Sequence, residues 1–420
     1  MENVYKITGG NQLEGTLRVS SAKNAVVALI PASVMANDVV TIAGIPDIAD
    51  VASLKEILNY LDVKVISSGT DILTIDPSNM QNKELTIDAV SKLRASYYFM
   101  GALLGKYKKV VIKMPGGCNL GPRPIDLHLK GFEALGAKVE YKDCIYTITA
   151  EKLVGTRIYL DKSSVGATIN ILMAAVFASG RTTIENAARE PEIIDCITLL
   201  NKMGALIRGG GTSTIIIDGI ATLTGCFHEI IPDRIEAGTF LIIAAAMAKH
   251  VRIDNVIPYH LDALISKLKE IGVNIQTSID HIDVYQSGQL SNTDVITMPY
   301  PGFATDLQAP LTALLTSAKG NSTITETIYP ERFKVCQQLN KMGANIITST
   351  AKCTIVGPSK LIGNDVTATD LRCGGALIVA GLMAQGETTI HDIYHIDRGY
   401  EHIVEKLNAI GAQIKKETIK

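Results

Sequence analysis

The residues best suited to chemistry lie between Pro115 and Pro124, in the run PGGCNLGPRP. Six of its ten positions are Gly or Pro, so the segment cannot continue a helix or a strand. It nevertheless carries Cys118, with Lys113 five positions before and Arg123 five after. Fixed cations near a thiol favour the thiolate and also attract anions. A loop holding a tunable thiol and an arginine fits a lid over an anionic substrate. The alternative is an ordinary surface turn in which the cysteine is incidental.

Further polar clusters stand where apolar runs begin: SSAKN, KLRAS, KSSVGAT, PDRIEAG, ATDLQ and ATDLR. Helix N-termini present unpaired N–H groups and a positive dipole end, which suits anions. Ser, Thr and Asp at these places read first as caps. Lys23, Arg94 and Arg372 run against the dipole preference and ask for another reason. Asp306 fits a cap or, alternatively, a general base. Arg398, in YHIDRGYE, fits a surface charge or a partner for Asp397 or Glu401. Glu190 and Glu192 flank Pro191 as helix-start acids would. His391 and His395 are four apart in a segment that reads as strand and loop, so no metal site is expected there.

Composition narrows the partners. Over 420 residues, 47% hydrophobic and 20% charged content describes a globular chain with a large core. A formal net charge of -2 argues against a general nucleic-acid binder, so any anion must be held by a local cation cluster. Seven cysteines without a CxxC pair read as free thiols of a reducing compartment. The start MENVYKITGG lacks the apolar core of a signal peptide, and runs such as 240–248 are too short to span a bilayer. The cytoplasm is the expected location, with no membrane contact. No phosphate-binding GxxxxGK[ST] motif occurs, and no GxGxxG follows a strand.

The elements that must position these residues repeat. An apolar–Gly–small–polar–branched signature recurs at Gly136, Gly204, Gly272, Gly343 and Gly411, at intervals of 68, 68, 71 and 68 residues. Asp62 takes the same place in LDVKV. A small residue near the start of an apolar helix recurs at Ala25, Ala95, Ala167, Ala237, Ala309 and Cys373. Two markers of one period predict six units. Each unit reads as an all-apolar helix, a short strand, an amphipathic helix and two closing strands. The amphipathic pattern is clear at Leu261, Leu264, Ile265, Leu268 and Ile271. Gly209 to Gly211 reads as a hairpin turn.

A helix apolar on every side must be covered on every side. The fold class is therefore α/β, a two-lobed inside-out barrel of six βαβαββ-like units with helices inside and sheets outside. Single cores stop growing near ~250–300 residues, which favours two lobes. The expected division is 22–230 against 1–21 plus 231–420, with the strand LRVS serving the second lobe and the active site in the cleft.

The segments SSAKNA, LRASYYFMGALLG, PGGCNLGPRPIDLHLKGFEALGA, KSSVGAT, ENAAREPEI, FATDLQAP and TDLRCGGAL…YHIDRGYE resemble, in order, the UDP-N-acetylglucosamine 1-carboxyvinyltransferase family of enolpyruvyl transferases. The resemblance spans essentially the whole chain, and the Cys118 loop together with YHIDRGYE is its most specific part. It implies transfer of the enolpyruvyl group of phosphoenolpyruvate to the 3'-hydroxyl of UDP-N-acetylglucosamine, with release of phosphate. That is the first committed step of peptidoglycan synthesis, a cell-wall function tied to cell shape and division. It implies Lys23, Arg123 and Arg398 as the cradle for phosphoenolpyruvate, with Asn24 positioning both substrates. Arg94, Arg123, Pro124, Ile125, Asp126, Leu127, Lys162, Ser164, Val165, Asp306 and Ile328 would line the sugar-nucleotide site. Cys118 would protonate the methylene carbon and also form a covalent pyruvate adduct, and it is the residue alkylated by fosfomycin. Asp306 would take the proton of the attacking hydroxyl. No metal or redox cofactor is implied. Asn119 and Pro122 stand where smaller residues are common in the family, and Glu331 where many members carry Asn. Cys373 reads as a packed small residue. Two rivals stay open: the same chemistry on shikimate 3-phosphate, and a non-catalytic repeat scaffold that binds an anion.

Overall fold

The computed structural model describes residues 2–113 and 125–419. Cys118, Arg123 and Pro124 lie outside the described residues. The chain divides into two compact units, Ser21–Ile231 and Met1–Ser20 with Pro232–Lys420.

Six nearly all-apolar helices form the centres of these units. In Ser21–Ile231 they are α1 (Lys23–Ser33), α2 (Tyr98–Tyr107) and α3 (Val165–Ala175). In the other unit they are α4 (Arg234–Met247), α5 (Gln308–Leu315) and α6 (Leu371–Met383). Every residue of α1 from Ala25 to Ser33 is buried, and so is every residue of α3 from Gly166 onward. A helix with no polar face has no stable solvated side, so α1 and α3 pack on α2, while α4, α5 and α6 pack on one another. Burying each Leu, Ile or Phe of these helices contributes roughly 1.5–3 kcal/mol. Two separate cores result, one in each unit. Gly101 shows how close the packing is: a Cβ there would lie 2.3 Å from the Asn170 carbonyl oxygen.

The sheets cover these helices with strands that alternate buried and exposed residues, as in Arg181–Glu185. One complete sheet shows the pattern. Its order is Leu206–Arg208, Thr214–Asp218, Arg181–Glu185 and Arg157–Tyr159. Only the last pair is parallel. The triple glycine 209–211 makes the hairpin between the first two strands, as its composition predicts. Five such four-stranded sheets and one of three strands make a mixed α/β structure, and none of them closes into a barrel among the described residues.

The repeat signature has a physical cause. Gly136, Gly204, Gly272, Gly343 and Gly411 all take φ between 96° and 104°, and Asp62 takes φ 60°. Each ends an amphipathic helix in the left-handed region, where a side chain is costly and Asp is among the better tolerated.

Two strands depart from a simple tandem array. Leu13–Arg18 runs parallel to Ala248–Asp254 of the fourth repeat, while Cys226–Glu229 runs parallel to Val40–Ala43 of the first. Each strand thus precedes one central helix but serves the sheet of another repeat. Glu2–Thr8 lies between Glu387–His391 and Gln413–Ile419, antiparallel to both, and completes the sixth sheet. Of the cysteines, Cys196, Cys226, Cys336, Cys353 and Cys373 are free.

A polar cluster marks the passage of the chain at Ser20 and Pro232. The Ser20 N–H donates to Glu236 Oε2 at 2.5 Å, and Lys406 Nζ donates to Glu236 Oε1 at 2.7 Å and to Ser20 Oγ at 2.6 Å. The Ser20 hydroxyl donates to Glu401. Burial pushes the Glu236 carboxyl up to about 7, against the pull of Lys406. Because the folded value exceeds the ordinary one of 4.5, its contribution to stability is full below that value and is lost as pH rises through about 7. Wild-type stability should therefore fall relative to Glu236→Gln between pH ~5 and ~8, by on the order of 2 kcal/mol. Urea unfolding of both chains across that range measures it, and a difference that stays flat or rises removes the argument.

Candidate active site

In Ser21–Ile231 the expected site residues gather at helix starts. Lys23 is the first residue of α1, and its Nζ lies 3.0 Å from Asp50 Oδ2, a buried carboxylate on the helix Ala49–Tyr60. That pairing accounts for a lysine placed against the helix dipole. Asn24 follows it, half-buried. Arg94 opens a 3-10 turn, Arg94–Tyr97, which leads into α2 and touches α1. Ile125 is buried at the start of the helix Asp126–Ala134, whose first two residues are Asp126, exposed, and Leu127. Lys162 is exposed ahead of α3; Ser164 caps that helix by accepting from the Ala167 N–H at 3.3 Å, and Val165 begins it.

His128, which sequence reasoning missed, links the Arg94–Tyr97 turn to the start of α3. Asn170 Nδ2 lies 3.1 Å from His128 Nδ1, and Asn170 Oδ1 accepts from the Gly101 N–H at 2.8 Å. A Cβ on Gly166 would meet the Tyr97 hydroxyl at 2.9 Å and the His128 ring at 3.0 Å. Burial first, and the Arg94 charge second, hold His128 down to about 3, so its ring is neutral and Nδ1 can accept from Asn170. A histidine in the pattern HLKGF gives no spacing signal for such a role.

In the second unit the centre is Asp306. It lies in the 3-10 turn Thr305–Leu307 before α5 and makes no capping bond, which corrects the reading of it as a cap. Its Oδ1 accepts from Arg332 and its Oδ2 from Arg372 Nη2 at 2.7 Å. Burial would raise its pKa, but Arg372, Arg332 and Arg234 outweigh burial and hold the carboxyl far below its ordinary value. Arg372 was visible in sequence as a cation inside a helix start; Arg332, in YPERF, carried no signal. By contrast Asp233 and Asp370 do cap α4 and α6, each accepting two backbone N–H bonds.

Buried Glu326 ties the Asp306 turn to the loop of Ile328. It accepts from Thr305 Oγ1 at 2.9 Å, Thr297 Oγ1 at 2.8 Å and the N–H groups of Ile328 and Tyr329 at 2.7 and 2.9 Å. The Ile328 side chain is exposed. Arg398 follows the short helix Tyr394–Asp397. Of the partners suggested for it, Asp397 accepts from Tyr5 and from Lys416 Nζ at 2.8 Å, and Glu401 accepts from Ser20. Burial first, and the Arg398 charge second, hold the His395 ring below its ordinary pKa. Cys373 is buried, its Sγ 3.8 Å from the Thr367 carbonyl, in keeping with a packed small residue. Among the described residues no cluster of His, Cys, Asp and Glu could hold a metal ion, and no helix is long and apolar enough to cross a membrane.

Two sets of cations at helix starts, one with a carboxylate held ionised among arginines, suit a substrate that carries carboxylate and phosphate groups. Residues 7–407 match the EPSP synthase (3-phosphoshikimate 1-carboxyvinyltransferase) family. The chain belongs to this family of enolpyruvyl transferases. Within it, the chain is 55% identical over 412 residues to UDP-N-acetylglucosamine 1-carboxyvinyltransferase 2 of Listeria monocytogenes, covering 98% of this chain and 97% of that one. It is 54% identical over 413 residues to the enzyme of the same name from Bacillus subtilis, covering 98% and 96%. Among solved structures, the enolpyruvyl transferase NikO from Streptomyces tendae superposes with a TM-score of 0.91 at 26% identity, with 100% of each chain covered. EPSP synthase of Acinetobacter baumannii, at 19% identity and TM-score 0.77, shares the fold, with 99% of this chain covered.

Proposed function

We propose that this chain transfers the enolpyruvyl group of phosphoenolpyruvate to the 3'-hydroxyl of UDP-N-acetylglucosamine and releases phosphate, in peptidoglycan synthesis. The observation that carries the acceptor is the full-length similarity to the Listeria and Bacillus enzymes. On this reading the units are the two lobes of an inside-out α/β barrel. Lys23, Arg123 and Arg398 clamp phosphoenolpyruvate. Asn24, Arg94, Arg123 to Leu127, Lys162, Ser164, Val165 and Ile328 receive the sugar nucleotide.

The chemistry follows from the substrate. Protonating the methylene carbon leaves an oxocarbenium-like centre, so an acid must be aimed at carbon while the anionic groups are held still. Cys118 supplies that proton, with a thiol shifted downward by Arg123. Asp306 accepts the proton of the 3'-hydroxyl as it attacks. Loss of a methyl proton and phosphate from the tetrahedral ketal then restores the alkene. Product analysis with UDP-N-acetylglucosamine and with shikimate 3-phosphate tests the acceptor. Turnover is expected with the first alone; turnover confined to the second overturns the reading, and none with either favours a scaffold.

A further inference from the structure

Glu326 directly follows the strand Gly320–Thr325, which is paired on both sides, with Asp294–Ile296 and with Lys352–Gly357. Its own N–H donates to the Ala351 carbonyl at 2.8 Å, so the side chain springs from fixed backbone. That side chain is buried, and among the described residues its carboxylate is matched by donors and not by a cation. A buried carboxyl group is costly unless its oxygens are hydrogen-bonded. Here Oε1 accepts from Thr297 Oγ1 and from the N–H groups of Ile328 and Tyr329, while Oε2 accepts from Thr305 Oγ1. Thr297 Oγ1 also accepts from the Thr327 N–H at 2.9 Å, which holds the first of these donors in place.

The donors belong to the two segments that meet at Asp306. Thr305 is the residue before it. Ile328 and Tyr329 lead into the 3-10 turn Pro330–Phe333, which carries Arg332. The Tyr329 carbonyl accepts from the Arg332 N–H at 3.2 Å, and the Tyr329 ring lies 5.1 Å from the Arg332 guanidinium. Arg332 in turn donates to Asp306 Oδ1. Its Nε has no partner among the described residues, and its next carboxylate, Asp370, is 3.9 Å away. A closed ring results: Glu326 to Thr305 and Asp306, across to Arg332, and back through Tyr329 to Glu326.

We propose that Glu326 is a positioning residue for the transfer: it fixes the separation of Asp306 from Arg332, and with it how readily the Asp306 carboxylate takes a proton. The proposal rests on the reading of Asp306 as the base for the 3'-hydroxyl. The turn Thr305–Leu307 is only three residues long, so what pins Thr305 decides where Asp306 points. A misplacement of about 1 Å at a reacting group can cost roughly 10²-fold in rate.

The variants are assayed as full chains with phosphoenolpyruvate and UDP-N-acetylglucosamine, at a temperature where circular dichroism shows each folded. Glu326→Ala should lower kcat by about 10- to 100-fold, while the KM for the sugar nucleotide changes less than about threefold. Glu326→Gln should recover most of that loss. Its carbonyl oxygen keeps the bonds of Oε1, and its NH2 donates to Thr305 Oγ1, since a hydroxyl accepts as well as donates. If Glu326→Ala does not fold, Thr305→Val takes its place, removing only the bond to Oε2, and should lower kcat by about threefold or more.

A merely structural role is separated by repeating the substitution in Asp306→Asn. There it should lower kcat by no more than about twofold, because the group it positions is gone. An unchanged kcat in the otherwise wild-type chain, or a loss just as large in the Asp306→Asn chain, overturns the proposal. Normal turnover by Asp306→Asn alone overturns it too, by removing the base. Failure of the transferase reading looks different: the wild-type chain is then inactive with this acceptor, and the role of Glu326 falls with it.

Discussion

Cys118→Ser is expected to leave the chain unmodified by fosfomycin under saturating UDP-N-acetylglucosamine, while the wild-type chain gains one adduct. The epoxide resembles phosphoenolpyruvate and carries its electrophilic carbon where the methylene carbon would sit. On the proposed reading, a thiol that delivers a proton to carbon is also able to attack it. Serine keeps the size but is neither a comparable acid nor a comparable nucleophile, so its turnover should fall by about 10²-fold or more. Cys118→Asp separates the two properties, because a carboxylic acid donates a proton without attacking the epoxide in the same way. Retained turnover without adduct supports an acid role. Intact-mass spectrometry reads the adduct, and an unmodified wild-type chain would sink the thiol as the residue facing phosphoenolpyruvate.

The repeats were legible because their marker is forced by backbone geometry. A helix ending in the left-handed region selects Gly, and the five glycines and Asp62 that share this conformation were visible as a period. The all-apolar helices were legible for a similar reason, since no amphipathic surface helix reads AGTFLIIAAAM. Strand exchange was only half legible. Leu13–Arg18 pairs in parallel with Ala248–Asp254, some 235 positions on, and nothing in a short strand names so distant a partner.

The site shows the same boundary between local and distant. ATDLQ at Asp306 and ATDLR at Asp370 are almost the same word. Asp370 caps α6, whereas at Asp306 a 3-10 turn comes first and the carboxylate turns to Arg332 and Arg372. The difference is made by residues 26 and 66 positions away, so the local sequence could not decide it. His128 and Glu326 were missed for that reason too: each acts through partners that only the fold brings near.

Asp306→Asn should lower kcat by about 10²–10⁴-fold while the KM for the sugar nucleotide moves little. The arrangement around Asp306 makes this a stringent case, because a carboxylate held far below its ordinary pKa is a weak base. As the proposed base it would have to gain proton affinity during the reaction, by loosening from Arg332 or Arg372. About 21% of its side chain is exposed, which leaves an edge for that approach. In the free enzyme it stays ionised throughout the assay range, so the acid limb of kcat/KM should not arise from Asp306. The competing role is that of a counter-ion alone. Breaking a fully buried ion pair costs about 3–5 kcal/mol, and less at a partly exposed one, so Asp306→Asn should also lower Tm. Asp306→Glu restores the charge but displaces the oxygens by one methylene, and it should recover much of the stability with little of the turnover. If instead the Asn variant turns over normally at a temperature where it is folded, Asp306 only balances its arginines, and the base for the 3'-hydroxyl lies elsewhere.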